Sequence, residues 1–160
     1  MIRARVVTCS DAASRGERED RSGPAVREIL ARSGYQVDAI VVVPDEIEAI
    51  ATAIENATGD GARLVITTGG TGIAPRDVTP EATARVCDRL VPGFGELMRS
   101  TSLSSTPMAS LSRAQAATRG PALIVNLPGS VNGACENLNA VIHLIPHALE
   151  LLSGKRIEHG

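Results

Sequence analysis

An apolar run, Leu64-Val65-Ile66, leads directly into Thr67-Thr68-Gly69-Gly70-Thr71-Gly72, and Thr79-Pro80 follows with the signature of a helix start. A short apolar run bounded by turn residues reads as a buried strand, and proline just inside a threonine reads as a first helical turn. The order strand, glycine-rich loop, helix restricts the chain to folds in which strands feed helices. Three glycines free the loop backbone to take positive φ and to approach a ligand, while three threonines offer hydroxyls beside exposed amides. Such a loop suits phosphate groups, and it equally suits a tight connection with no ligand. It lacks the lysine of a P-loop and the spacing of the dinucleotide-binding glycines, so pattern alone leaves the ligand unnamed.

Elements of the same kind repeat on both sides of it. Residues 2–8 read as a first strand with Ser10 and Asp11 at its carboxyl end; Pro24 then opens a helix that Gly34 closes. Residues 35–43 read as one second strand. Ile47, Ile50, Ala51, Ile54 and Ala57 mark one face of the next helix, and Asp45, three residues before Glu48, reads either as its N-cap or as a site carboxylate. Residues 63–67 form the third strand. The helix after the loop is expected over residues 80–90 with Thr79 as N-cap, and another over 94–103. Arg119-Gly120-Pro121 predicts a hairpin whose second strand is 122–127, ending in Pro128-Gly129-Ser130. Two helices, 131–144 and 145–152, close the chain. The predicted architecture is α/β: a three-layer αβα sandwich with a mostly parallel sheet and one antiparallel hairpin strand, built as one domain over 1–160.

Composition narrows the function. Tyr35 and Phe94 are the only aromatic residues, so the core must come from Ile, Val, Leu and Ala, as suits a parallel sheet covered on both faces. They leave no stacking platform for single-stranded nucleic acid, and a net charge of −2 with no basic stripe argues against any nucleic-acid partner. Cys9, Cys87 and Cys135 are odd in number and widely spaced, which reads as reduced structural thiols. His143 and His147 read as core or interface residues, since Pro146 lies between them and no third metal ligand is near. No apolar run approaches membrane-spanning length and no signal-peptide core begins the chain, so the expected location is the cytoplasm, away from membranes.

In open α/β sheets the loops at the carboxyl ends of the strands converge on one crevice. Ser10, Asp11, Asp20, Asp45, residues 67–77 and Pro128-Gly129-Ser130 are thus expected together. Amides and arginines attract phosphate oxygens while carboxylates repel them, and a divalent cation resolves the conflict. Mg²⁺ takes only one or two protein carboxylates and leaves its other positions to phosphate and water. The residues point to Mg²⁺-dependent handling of a nucleotide or phosphorylated ligand.

Nearly the whole chain also resembles the MogA/MoaB family. The resemblance rests on Thr67-Thr-Gly-Gly-Thr-Gly72, Arg76-Asp-Val-Thr-Pro-Glu-Ala82, Pro92-Gly-Phe-Gly-Glu96 with Arg99, Leu111-Ser-Arg113 and Asn126-Leu-Pro-Gly-Ser130. Ser10-Asp11, Asp20-Arg-Ser-Gly-Pro24 and Val43-Pro-Asp-Glu46 match as well. It implies a molybdopterin adenylyltransferase of molybdenum-cofactor biosynthesis that consumes ATP with Mg²⁺ and moves AMP onto the terminal phosphate of molybdopterin. The alternative within the family is a non-catalytic MoaB-like pterin-binding or carrier protein. Carried over by motif, Asp45 and Asp77 are the catalytic, Mg²⁺-holding pair, with Ser10, Asp11 and Asp20 beside the nucleotide or its metal. Gly69, Gly70, Thr71 and Gly72 cradle phosphate through their amides, and Pro128, Gly129 and Ser130 seat the pterin or its phosphate. Arg76 either steadies an anion or forms an outward ion pair. The resemblance further implies a homotrimer and a downstream partner in the molybdate insertase. Ala117 and Val131-Asn132 depart from the family pattern on the pterin side.

Overall fold

The computed structural model describes residues 1–155. Its strands are β1 (Arg3–Cys9), β2 (Gln36–Val37), β3 (Val41–Val43), β4 (Leu64–Thr68), β5 (Arg89–Leu90), β6 (Gln115–Arg119) and β7 (Ala122–Leu127). They form one seven-stranded sheet in the order β2-β1-β4-β7-β6-β5, with β3 pairing further along the same edge of β1 as β2. Every pairing among β1, β2, β3, β4 and β7 is parallel; β6 alone runs against its neighbours β5 and β7. The helices are α1 (Asp11–Ser14), α2 (Ser22–Arg32), α3 (Ile47–Gly59), α4 (Thr79–Val86), α5 (Pro92–Ser102), α6 (Val131–Val141) and α7 (Ile145–Leu152).

Alternation along the central strands divides the core into two apolar layers, because successive strand side chains point to opposite faces. Val6, Leu64, Ile66, Val125 and Leu127 pack on one face against Val26 and Leu30 of α2, Met98 of α5, Leu138 of α6 and Leu149 of α7. Val7, Val65 and Ile124 face the other way onto Ile50 and Ile54 of α3 and Ala82 and Val86 of α4. Each such fully buried Ile or Leu stabilises the fold by about 1.5–3 kcal/mol. The three-layer αβα reading is what the structure holds.

Three expected elements differ. The second strand breaks into β2 and β3 because Asp38 turns toward Arg3 and Arg5, with carboxylate to guanidinium distances of 2.8 and 3.3 Å. The helix expected to reach Leu90 stops at Val86, since Cys87 is extended and Arg89-Leu90 pairs with β6, leaving Leu90 half exposed as an edge residue. The helix over 131–144 gives way at Ile142 to a 3₁₀ turn, Ile142–Leu144. His143 and His147 on these last elements are both exposed, not core.

Candidate functional site

Consecutive connections leave β1 on opposite sides. The chain passes through α2 to β2 and β3 on one edge of β1, then through α3 to β4 on the other. Such a reversal opens a crevice beyond the carboxyl ends of the two central strands. Here it is a cleft of about 690 Å³ whose lining includes Ser10, Asp20, Asp45, Gly69, Gly70, Asp77, Gly129 and Ser130.

The acidic side is built from reciprocal bonds. Asp11 N donates to Asp45 Oδ2 and Asp45 N donates to Asp11 Oδ1, each at 3.0 Å, so each carboxylate holds the other residue's backbone. Arg76 closes on Asp11 with both Nε and Nη2, at 2.9 and 2.8 Å. That pair holds the Asp11 carboxyl below the usual carboxylate range and gives Arg76 an acidic partner on the rim. Asp45 is different. Its Oδ1 is buried and has no hydrogen-bond partner among the described residues. Burial first, then the nearby charges of Asp11 and Asp77, push its carboxyl above the usual range. The capping reading of Asp45 is overturned, because Glu46 occupies the cap position of α3 and no side chain bonds there.

The glycine loop is held by its carbonyls. Thr79 Oγ1 donates to Gly69 O at 2.8 Å and Thr79 N to Gly70 O at 3.1 Å. Arg113 N donates to Thr71 O at 2.7 Å, and Arg113 Nε to Gly72 O at 2.8 Å. Thr79 is therefore a brace on the loop and not the expected N-cap, a position that Val78 fills. The Gly69 amide joins the sheet through Leu127 O, whereas the amides of Gly70, Thr71 and Gly72 find no acceptor among the described residues. Of the four residues expected to offer amides to phosphate, these three retain them. Gly69 and Gly70 take φ of +92° and +70°, and a Cβ on Gly70 would stand 2.3 Å from Thr79 Oγ1 and 3.3 Å from Asp45 Oδ1. That small separation puts the unpartnered carboxylate oxygen beside Gly70, the first of the three residues with free amides. Asp77 sits at the far end of the loop, its Oδ2 accepting from Ala74 N at 2.9 Å.

Asp20, Ser10 and Ser130 line the cleft with their side chains engaged. Asp20 accepts from Thr8 Oγ1 at 2.8 Å and from Gly23 N at 3.0 Å in the first turn of α2. Ser10 and Ser130 cap α1 and α6 by accepting from Ala13 N and Gly133 N. Ser130, with Pro128, also borders a second, less polar cleft of about 390 Å³ whose walls include Met108, Ser112, Glu136 and Asn137. Gly129 packs against Gly69, where an added Cβ would lie 3.2 Å from the Gly69 Cα. The two small-residue loops thus form adjoining walls.

The family model described as "Probable molybdopterin binding domain" matches residues 5–147. The chain belongs to the MogA/MoaB family. It is similar to the molybdopterin adenylyltransferase of Helicobacter pylori strain J99, with 44% identity over 96% of this chain and 89% of that protein. The molybdopterin adenylyltransferase of Escherichia coli K12 is 40% identical over 98% of this chain and 88% of its own length. Among solved structures, the molybdopterin biosynthesis enzyme MoaB from Thermus thermophilus superposes with a TM-score of 0.90 at 50% identity, covering 99% of this chain and all of that one.

In this MogA/MoaB chain the residues that sequence reasoning left without a role are the braces. Arg113 and Arg99 stood only inside motifs, yet Arg113 binds the loop from a distance of 41 residues. A further signal lay in the polar residues of apolar strands. Thr67 and Asn126 are fully buried and bonded to each other at 3.0 Å, and Thr68 meets Ser22 at 2.9 Å, forming a polar floor beneath the loops. Buried polar groups require partners, so such residues in strand ends point to a polar site above them.

Proposed function

We propose that this protein is a molybdopterin adenylyltransferase, a single-domain enzyme that transfers AMP from ATP to the terminal phosphate of molybdopterin and releases pyrophosphate. The observation that carries this reading is the buried, unpartnered Asp45 Oδ1 on the same cleft as Gly70, whose amide is free and is followed in the loop by the free amides of Thr71 and Gly72. Amides draw in phosphate oxygens and a carboxylate repels them, so both are satisfied only with a cation between them. The donor set supports Mg²⁺. Asp45 and Asp77 are two carboxylates on one cleft, with Asp45 raised in part by the charge of Asp77, and no cluster of three metal-ligating side chains exists among the described residues. A hard cation that accepts one or two carboxylates and leaves its other sites to phosphate and water matches that supply. When bound, Mg²⁺ neutralises phosphate charge and polarises the transferring group.

The chain's own residues align the reactants. An oxygen of the molybdopterin phosphate forms a bond to the α-phosphorus of ATP, while the bond from that phosphorus to the bridging oxygen breaks and its electron pair leaves with pyrophosphate. Free loop amides hold phosphate oxygens as charge redistributes, and the adjoining Gly129-Ser130 wall seats the pterin side. No covalent enzyme intermediate is required. The Cys9 thiol on this cleft is not an available nucleophile, since burial pushes its pKa up to about 12.

The test is direct. Purified protein with molybdopterin, ATP and Mg²⁺ is expected to form adenylylated molybdopterin, and Asp77→Asn to lower turnover about 100-fold or more while pterin binding persists. A folded protein that binds the pterin and forms no product would be the carrier of the MoaB-like branch. The proposal includes a trimeric assembly, cytoplasmic location and delivery of product to the molybdate insertase. Leu144 and Leu151, exposed near the C-terminal helices, are candidate contacts for that trimer, which light scattering reads as three times the monomer mass.

A further inference from the structure

Between β4 and α4 the chain carries free amides at one end of a loop and the Asp77 carboxylate at the other, with no helix or strand between them. Two ends of an irregular segment drift relative to one another unless something braces both. Beside the Thr79 bonds to Gly69 and Gly70, the Arg113 side chain does so for Gly72 and Asp77. Arg113 Nε donates to Gly72 O at 2.8 Å and its Nη2 donates to Asp77 O at 2.7 Å, while its backbone N–H holds Thr71 O at 2.7 Å. Its third nitrogen, Nη1, pairs with Glu81 on α4. A guanidinium is planar and rigid, so carbonyls bound along its edges keep a fixed spacing.

The brace is itself anchored. Arg99 Nη1, on α5, donates to Ser112 O at 3.2 Å and Ala114 O at 2.7 Å, the carbonyls on either side of Arg113. Gly95 leaves the room for this: a Cβ there would stand 2.7 Å from both Ala114 O and an Arg99 nitrogen. A chain of contacts therefore runs from α5 through the backbone of residues 112–114 to both ends of the loop.

We infer that Arg113 is a positioning residue, setting the separation between the phosphate-facing amides and Asp77. It touches neither carboxylate oxygen of Asp77 nor the free amides, and acts only through the backbone that carries them. Its effect on turnover rests on the adenylyltransferase reading; the brace itself does not.

Arg113→Gln removes the guanidinium and Arg113→Lys leaves a point charge able to reach one carbonyl at a time. Hydrogen exchange at the Ala74, Asp77 and Thr79 amides, which are bonded within the loop, is expected to accelerate in Arg113→Gln and to a lesser degree in Arg113→Lys. With saturating Mg²⁺ and ATP, kcat should fall about 100-fold in Arg113→Gln, as expected of a misplaced catalytic group, with a small change in KM and partial rescue by lysine. Glu81→Gln keeps both carbonyl bonds and should match the wild type. Wild-type exchange at the Ala74, Asp77 and Thr79 amides in folded Arg113→Gln overturns the inference, as does an unchanged kcat. Should Arg113→Gln fail to fold, Arg113→Lys decides by the same two readouts. If the wild type forms no adenylylated product, the enzymatic reading falls by itself, and amide exchange still decides the brace.

Discussion

Asp45→Asn is expected to give a more stable protein that has lost its activity. Burial raises the Asp45 carboxyl, with Asp11 and Asp77 adding to the rise. A carboxyl whose folded pKa lies above its unfolded value of about 3.9 contributes stability below that value and loses it as pH rises through the folded pKa. At neutral pH the ionised Asp45 is therefore a liability to the fold, relieved by a ligand cation or by neutralisation. Asparagine keeps an acceptor for the Asp11 amide and removes the buried charge, so Tm without metal should rise by about 1–3 °C. Turnover should fall about 100- to 1,000-fold, the loss associated with removing one preorganised electrostatic group. Calorimetry separates the two effects. Mg²⁺ should raise the Tm of the wild type and leave that of Asp45→Asn unmoved; an equal response in both would sink the assignment. The wild type should also lose stability between acid and neutral pH in chelator more steeply than the variant.

Gly69→Ala should be the most damaging change to folding at the site. The residue has φ of +92°, and an alanine Cβ would lie 2.2 Å from the Cys9 carbonyl oxygen, a backbone atom within the central sheet. The loop has no slack to relieve that overlap, because Gly69 N is bonded to Leu127 O and Gly69 O is bonded to Thr79 Oγ1. Backbone strain and the overlap together should cost on the order of 3 kcal/mol or more, read as a fall in the urea midpoint. Gly72→Ala offers the contrast. Its Cβ would meet Asp77 Oδ2 at 2.8 Å, the movable end of a side chain. That variant should fold near normally and lose activity by displacing the acid. Equal stability loss in both would mean that backbone overlap is not what selects glycine at 69.

The α/β sandwich was legible because its signals are local. Apolar runs of about four to eight residues alternated with helical spacing, and glycine-rich or proline-containing turns separated them. The cleft followed from the order of elements alone, since strand ends converge at a switch point. What escaped depends on pairs far apart in the chain. Asp38 broke a strand that propensity favoured because Arg3 and Arg5 lay 35 and 33 residues earlier. Thr79 and Asp45 both occupied plausible capping positions, and both were drawn to other work, one to the loop carbonyls and the other to the Asp11 amide. The free amides of residues 70–72 were foreseeable from glycine content; the loss of the Gly69 amide to the sheet was not, because it required knowing that β7 lies beside β4.

The outer strands bear on how copies of this chain can meet. One border of the sheet is β2 and β3, two and three residues long with Asp38 between them, and the other is the two-residue β5. Among the described residues neither border offers a long row of unpaired backbone groups onto which a neighbouring strand could zip, the arrangement that protects open sheets from sticking edge to edge. Short edges of this kind leave side-chain surfaces on helices and loops, where a specific sequence and not a generic backbone chooses a partner, as the larger faces open to contact.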